Sequence, residues 1–131
     1  MATERFGDER GSAPAEFVMV GALLSVLFLS VVQLALALHI RNTVIDAASE
    51  GARFAALADS SLEAGAERTR YLIDTAVGGG LGAEVTARSV NWLGSPVAEV
   101  TVQCPLPLLG LWGVDGGLEV AGHAPIEQLA D

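Results

Sequence analysis

RGSAPAEFVMVGALLSVLFLSVVQLALALHI, residues Arg10 to Ile40, decides the fold. From Phe17 to Ile40 its only polar side chains are Ser25, Ser30, Gln33 and His39. A helix over this run is about 36 Å long, against about 30 Å of bilayer hydrocarbon, so the run predicts one membrane span at 17–40. One carboxylate, Glu16, stands immediately before it, and Gly11 stands five residues before Glu16.

N-terminal of this edge lies MATERFGDERG, residues 1–11, short and mixed in charge. A segment of that kind has no core to join and is expected to be disordered or removed. Arg5 and Arg10 precede the span and Arg41 follows it closely. The bias is small, but it puts the N-terminus in the cytoplasm and the C-terminal domain outside the inner membrane.

C-terminal of the span, helical character continues through RNTVIDAASEGARFAALAD to about Ala58, giving one long helix over 12–58. Asn42, Asp46, Ser49, Glu50 and Arg53 fall mostly on one side of it. Ala47, Gly51 and Ala55, with Ala48 and Ala52, make a smooth stripe where another backbone can approach, whether from this chain's own domain or from a neighbouring subunit. Ser60 and Glu63 fit a capping box for a second helix. Leu62, Ala66, Ile73, Ala76 and Val77 share one face of that helix, Arg70 and Asp74 form an i,i+4 pair, and Gly78-Gly79-Gly80 ends it.

After Gly82 the period changes. Glu84 to Trp92 reads as a strand, Gly94-Ser95-Pro96 as a hairpin turn, and Val97 to Cys104 as a second strand. Ala98, Val100, Val102 and Cys104 form its core face, with Glu99, Thr101 and Gln103 opposite, which makes Cys104 a buried thiol. Pro105 and Pro107 should break that strand, leaving an apolar loop from Leu106 to Trp112 that covers the sheet. Asp115-Gly116-Gly117 reads as a turn and Leu118 to Ile126 as a last strand. The expected architecture is α+β: a long N-terminal helix with a membrane half and an exported half, a second helix, and a small antiparallel sheet of about three strands. The exported domain proper covers 59–131.

Composition excludes several functions. Residues 42–131 hold twelve Asp or Glu against four Arg, a net charge of −8, and the whole chain carries −9 with no Lys. No basic surface for nucleic acid is present. A single cysteine rules out an internal disulfide and cysteine-rich metal sites, and two histidines do not supply a zinc set. There is no GxSxG, and the Asp46/Glu50 and Glu63/Glu67 pairs read as solvated helix faces. No enzymatic role and no cofactor is expected.

Gly11-Ser12-Ala13-Pro14-Ala15-Glu16-Phe17, heading an apolar run, resembles the processing site of type IV pilin-like precursors. With Arg41-Asn42 and Ala47-Ala48-Ser49-Glu50-Gly51-Ala52-Arg53 beyond the span, residues 10–58 resemble the TadE-like family, minor pseudopilins of the tight-adherence (Tad/Flp) type IV pilus system. The resemblance is looser over the C-terminal half. Two features depart from the pattern: Pro14 lies within the recognition stretch, and Ser49 stands where a basic residue often precedes the glutamate. The resemblance implies a pilin-like fold and cleavage between Gly11 and Ser12 by a prepilin peptidase. It also implies a single-pass inner-membrane protein that supports assembly or initiation of an adhesive pilus. Glu16 would be the subunit-assembly carboxylate, meeting the amine of a neighbouring subunit. The implied partners are that peptidase, a sister minor pseudopilin, the major Flp pilin, the inner-membrane assembly platform and membrane lipid, with no cofactor.

Two other readings stay open. Ala35-Leu36-Ala37 is an A-x-A site that ordinary signal peptidase could cut after Ala37, although the leader is not net positive and the apolar run continues to Ile40. An uncleaved, membrane-anchored binding module is the other.

Overall fold

Small and branched residues recurring every three or four positions from Ile40 onward set up the protein's core. In the computed structural model, which describes residues 9–108 and 112–128, helix α1 (Glu9–Ala56) buries Ile40, Val44, Ala47, Ala48, Ala52, Ala55 and Ala56 along one stripe. Helix α2 (Leu62–Val77) follows, then strands β1 (Glu84–Trp92), β2 (Ser95–Leu108) and β3 (Trp112–Pro125). The strands pair in the order β1-β2-β3, all antiparallel. The fold is α+β: two helices, the first much the longer, and a three-stranded antiparallel sheet. The chain divides into two units, Met1–Ala35 and Leu36–Asp131.

In the second unit one sheet face carries the core. Val85, Ala98, Val100, Val102, Cys104, Leu118 and Ala124 are buried with the α1 stripe and with Ala66 and Ile73 of α2. The expected core face of β2 and the buried Cys104 are present as read. Period-2 alternation was informative here because one face is covered and the other is open.

Helix–helix packing rests on two glycines. A β-carbon on Gly51 would strike the Thr69 hydroxyl and lie 2.8 Å from the Gly65 carbonyl oxygen. Thr69 is fully buried, and its Oγ1 donates to the Gly65 carbonyl at 3.0 Å, with the Ala47 carbonyl 3.3 Å away. The buried face of α2 is therefore Gly65, Ala66, Thr69 and Ile73. Ala76, expected on that face, is exposed. Thr69 belongs to the buried face because its hydroxyl is satisfied within the helix, while Ala76, in the last turn, borders the open groove between α1 and α2.

Other local expectations shift. α1 ends at Ala56, not Ala58. The N-cap of α2 is Ser61, whose Oγ accepts from the Ala64 amide at 3.1 Å; Ser60 instead closes the preceding turn by donating its amide to the Leu57 carbonyl. The helix does end at Gly78, which adopts φ 92°. Arg70 does not pair with Asp74. Its guanidinium reaches Glu63 at 3.8 Å and donates to the Val85 carbonyl at 2.9 Å, tying α2 to β1. A hydrogen bond to a strand carbonyl holds one arginine geometry that a solvated helix pair does not.

The β1–β2 turn is two residues, Leu93-Gly94, because Ser95 already pairs with Trp92 and Pro96 with Asn91. Both turn residues have positive φ, 50° and 87°, the twist a two-residue hairpin needs. Pro105 and Pro107 do not end β2. The β1 pairing stops at Gln103, so beyond it β2 has a neighbour on one side only, and a proline is tolerated on such an edge. The register shifts between Cys104 and Leu106, where residues 115–117 of β3 stand opposite Pro105. The expected Asp115-Gly116-Gly117 turn is thus a bulge, and β3 begins at Trp112. Of the expected apolar loop, Leu106 is half-buried against the core and Leu108 pairs with Trp112, while residues 109–111 lie outside the described residues.

Candidate functional site: the N-terminal edge of the apolar helix

Gly11, Ser12 and Glu16 all lie on α1 within the first unit, and all are exposed. Residues at i and i+4 share a helix face, so Ser12 and Glu16 meet: the Ser12 hydroxyl donates to Glu16 Oε1 at 3.5 Å. Glu16 is held one turn from the Ser12 backbone nitrogen. Beyond Glu16 the helix is apolar and uncovered. Phe17 is 80% exposed, and Val18, Met19, Leu23, Leu24, Phe28 and Leu34 are likewise open. The best 18-residue window has mean hydropathy 2.4 and none of it is buried, so this helix is long and apolar enough to cross a membrane.

The hydroxyls in this stretch are satisfied without water. Ser25 donates to the Gly21 carbonyl and Ser30 to the Val26 carbonyl, each at 2.8 Å. In hydrocarbon an unpaired hydroxyl costs several kcal/mol, about 4–8 by water-to-alkane transfer, and the bond back to i−4 removes most of that.

The small-residue stripe sits in the other unit. Ala47, Ala48, Gly51, Ala52 and Ala55 are buried within Leu36–Asp131, against α2 and the sheet of this chain. A β-carbon on Gly122 of β3 would strike the Ala48 backbone, so α1 and β3 approach there as closely as two backbones can.

Sequence reading alone missed a row of charged groups on the open sheet face. Arg88, Glu99 and His123 are direct cross-strand partners on β1, β2 and β3. Arg88 Nε donates to Glu99 Oε1 at 2.6 Å, and His123 Nε2 lies 2.7 Å from Glu99 Oε2. The Arg88 hydrogen bond, then that of His123, holds the Glu99 carboxyl below its ordinary value, against an opposing push from burial. The two flanking side chains cover Glu99; no apolar core does. Trp92 lies beside His123 with ring centroids 5.7 Å apart. Alternation put Glu99 on the polar face, but its partners became legible only with the strand register.

Among the described residues no three His, Cys, Asp or Glu side chains converge as a metal set. Burial raises the Cys104 thiol above its ordinary value, which keeps it protonated and inert. The concave surfaces are open: the one beside Thr43, Asp46, Glu50, Arg53, Leu72 and Ala76 is a surface groove between α1 and α2.

Fold and site together define an α+β protein headed by one helix long and apolar enough to cross a membrane, with a serine–glutamate pair at that helix's N-terminal edge. Residues 11–53 match the family model described as TadE-like protein, so over that segment, about a third of its length, the chain is similar to the TadE-like family. Comparison with curated proteins and with solved structures gave no match.

Proposed function

We propose that this protein is a minor pseudopilin of a Tad/Flp-type pilus, cut between Gly11 and Ser12 by a prepilin peptidase and held in the inner membrane by α1. Its work is structural: it supports assembly or initiation of an adhesive pilus and has no catalytic centre. The observation that carries the reading is the family match over 11–53, which begins at Gly11 and takes in Glu16 and the whole apolar stretch. The helix geometry supports it, because a cut after Gly11 would leave the new Ser12 amine on the turn that also carries Glu16.

The role of Glu16 follows from the energetics of the bilayer. At the edge of the apolar run its carboxylate reaches the interface. Drawn toward mid-bilayer it costs about 2.5–3.5 kcal/mol on insertion scales, unless a cation meets it. The Ser12 amine of a neighbouring processed subunit is that cation, and the pairing would guide this subunit into register with its partners. Those partners are a sister minor pseudopilin, the major Flp pilin and the inner-membrane assembly platform, all engaged within or beside membrane lipid.

The test is complementation in the native host. Cells lacking the gene should lose surface pili in electron micrographs, and the wild-type gene should restore them. Glu16→Ala should be processed and inserted yet fail to restore pili. Full piliation of the deletion strain would defeat the pilus role, and full rescue by Glu16→Ala would defeat the role of the carboxylate.

A further inference from the structure

Two residues that weaken helices, Gly11 at the Gly11–Ser12 bond and Pro14 just beyond it, are both exposed. α1 runs from Glu9 through Pro14 without a break, so that peptide bond lies inside the helix. A β-carbon on Gly11 would meet nothing within 4 Å, so no close contact demands glycine there. Pro14 stands inside the helix, where it has no amide to give to the Arg10 carbonyl and its ring crowds that same oxygen. The turn between Arg10 and Pro14 is the turn that holds the Gly11–Ser12 bond.

A peptidase acts on an extended backbone, so this turn must open before it is cut. We propose that Pro14 is a positioning residue for processing: it holds the Arg10–Pro14 turn close to unwinding in the precursor, and the cut itself removes that weakness. The inference rests on cleavage between Gly11 and Ser12. Before the cut, Pro14 is an interior residue that breaks a hydrogen bond. Afterwards it is the third residue of a chain beginning at Ser12. The first four amides of a helix have no intrahelical partner, so the missing N–H of Pro14 costs nothing there, and its fixed φ suits a helix start. One residue thus loosens the substrate and leaves the product helix intact.

The experiment uses full-length precursor in detergent micelles with the host's prepilin peptidase, following the rate of appearance of the Ser12 N-terminus by mass spectrometry. Pro14→Ala should be cut at the same bond about ten-fold more slowly, since alanine restores the helix. Pro14→Gly should recover most of the wild-type rate, since glycine weakens the helix without a ring. In the uncut precursor, amide exchange at Ala13 and Ala15 should slow in Pro14→Ala. Wild-type rates for Pro14→Ala would overturn the proposal while leaving the processing site standing. Equally slow cleavage of the alanine and glycine variants would overturn it in favour of direct recognition of the ring. A wild-type precursor not cut after Gly11 would overturn the processing reading itself, and this inference with it.

Discussion

Glu99 shows how much one side chain depends on its two cross-strand neighbours. Its side chain is 12% exposed, although it lies on the open face of a three-stranded sheet, because Arg88 and His123 close over it. Since its carboxyl titrates below the ordinary value of 4.5, the ionised form is favoured by folding. That contribution is complete above the unfolded value and is lost as pH falls through the lower folded one. Urea midpoints of the full chain in micelles should therefore drop as pH is lowered below 4.5, with part of the drop absent in Glu99→Gln. An identical acid limb in the variant would remove Glu99 from the account. Arg88 is largely exposed, so the pair with Glu99 is screened and its share is modest.

At the scale of elements, backbone proximity does more than side-chain bulk. α1 and α2 cross where Gly51 faces Gly65 and Thr69, and α1 meets β3 where Ala48 faces Gly122. A valine at Gly51 has nowhere to go except by parting the helices, a cost of about 3 kcal/mol at the upper end of overpacking. Gly21, in the uncovered apolar stretch, would place a β-carbon in open space. Gly51→Val should thus lower the thermal midpoint by many degrees while Gly21→Ala leaves it unchanged or raises it slightly, as read by circular dichroism. The β1–β2 turn holds the opposite case. Leu93 is 95% exposed at φ 50°, a conformation disfavoured for leucine. Leu93→Asn creates an Asn-Gly pair suited to this turn and should stabilise the fold by about 1 kcal/mol in denaturant melts.

For the molecule as a whole, what was legible in the sequence follows from how local each signal is. The apolar run, the α1 stripe, the glycine stop at Gly78 and the Ala98-Val100-Val102-Cys104 alternation each need only neighbouring residues to be read, and each is present. The errors fall where a distant partner decides. Pro105 and Pro107 read as strand breakers until the end of β1 at Gln103 turns that part of β2 into an edge. Ser60 and Ser61 compete for one cap, and spacing alone does not choose between them. Thr69 and the Arg88–Glu99–His123 row depend on helix crossing and strand register, which no window of sequence contains. The candidate site lay at the other extreme. Gly11, Ser12 and Glu16 are within six residues of one another, and one helical turn relates Ser12 to Glu16.

Under the proposed function this edge is a processing site and not a plain anchor. The direct measurement is the N-terminus of the mature protein, by mass spectrometry of material from native membranes. A chain beginning at Ser12 is expected. A chain beginning at Met1 or Ala2, or at Leu38 after release by signal peptidase, would contradict it.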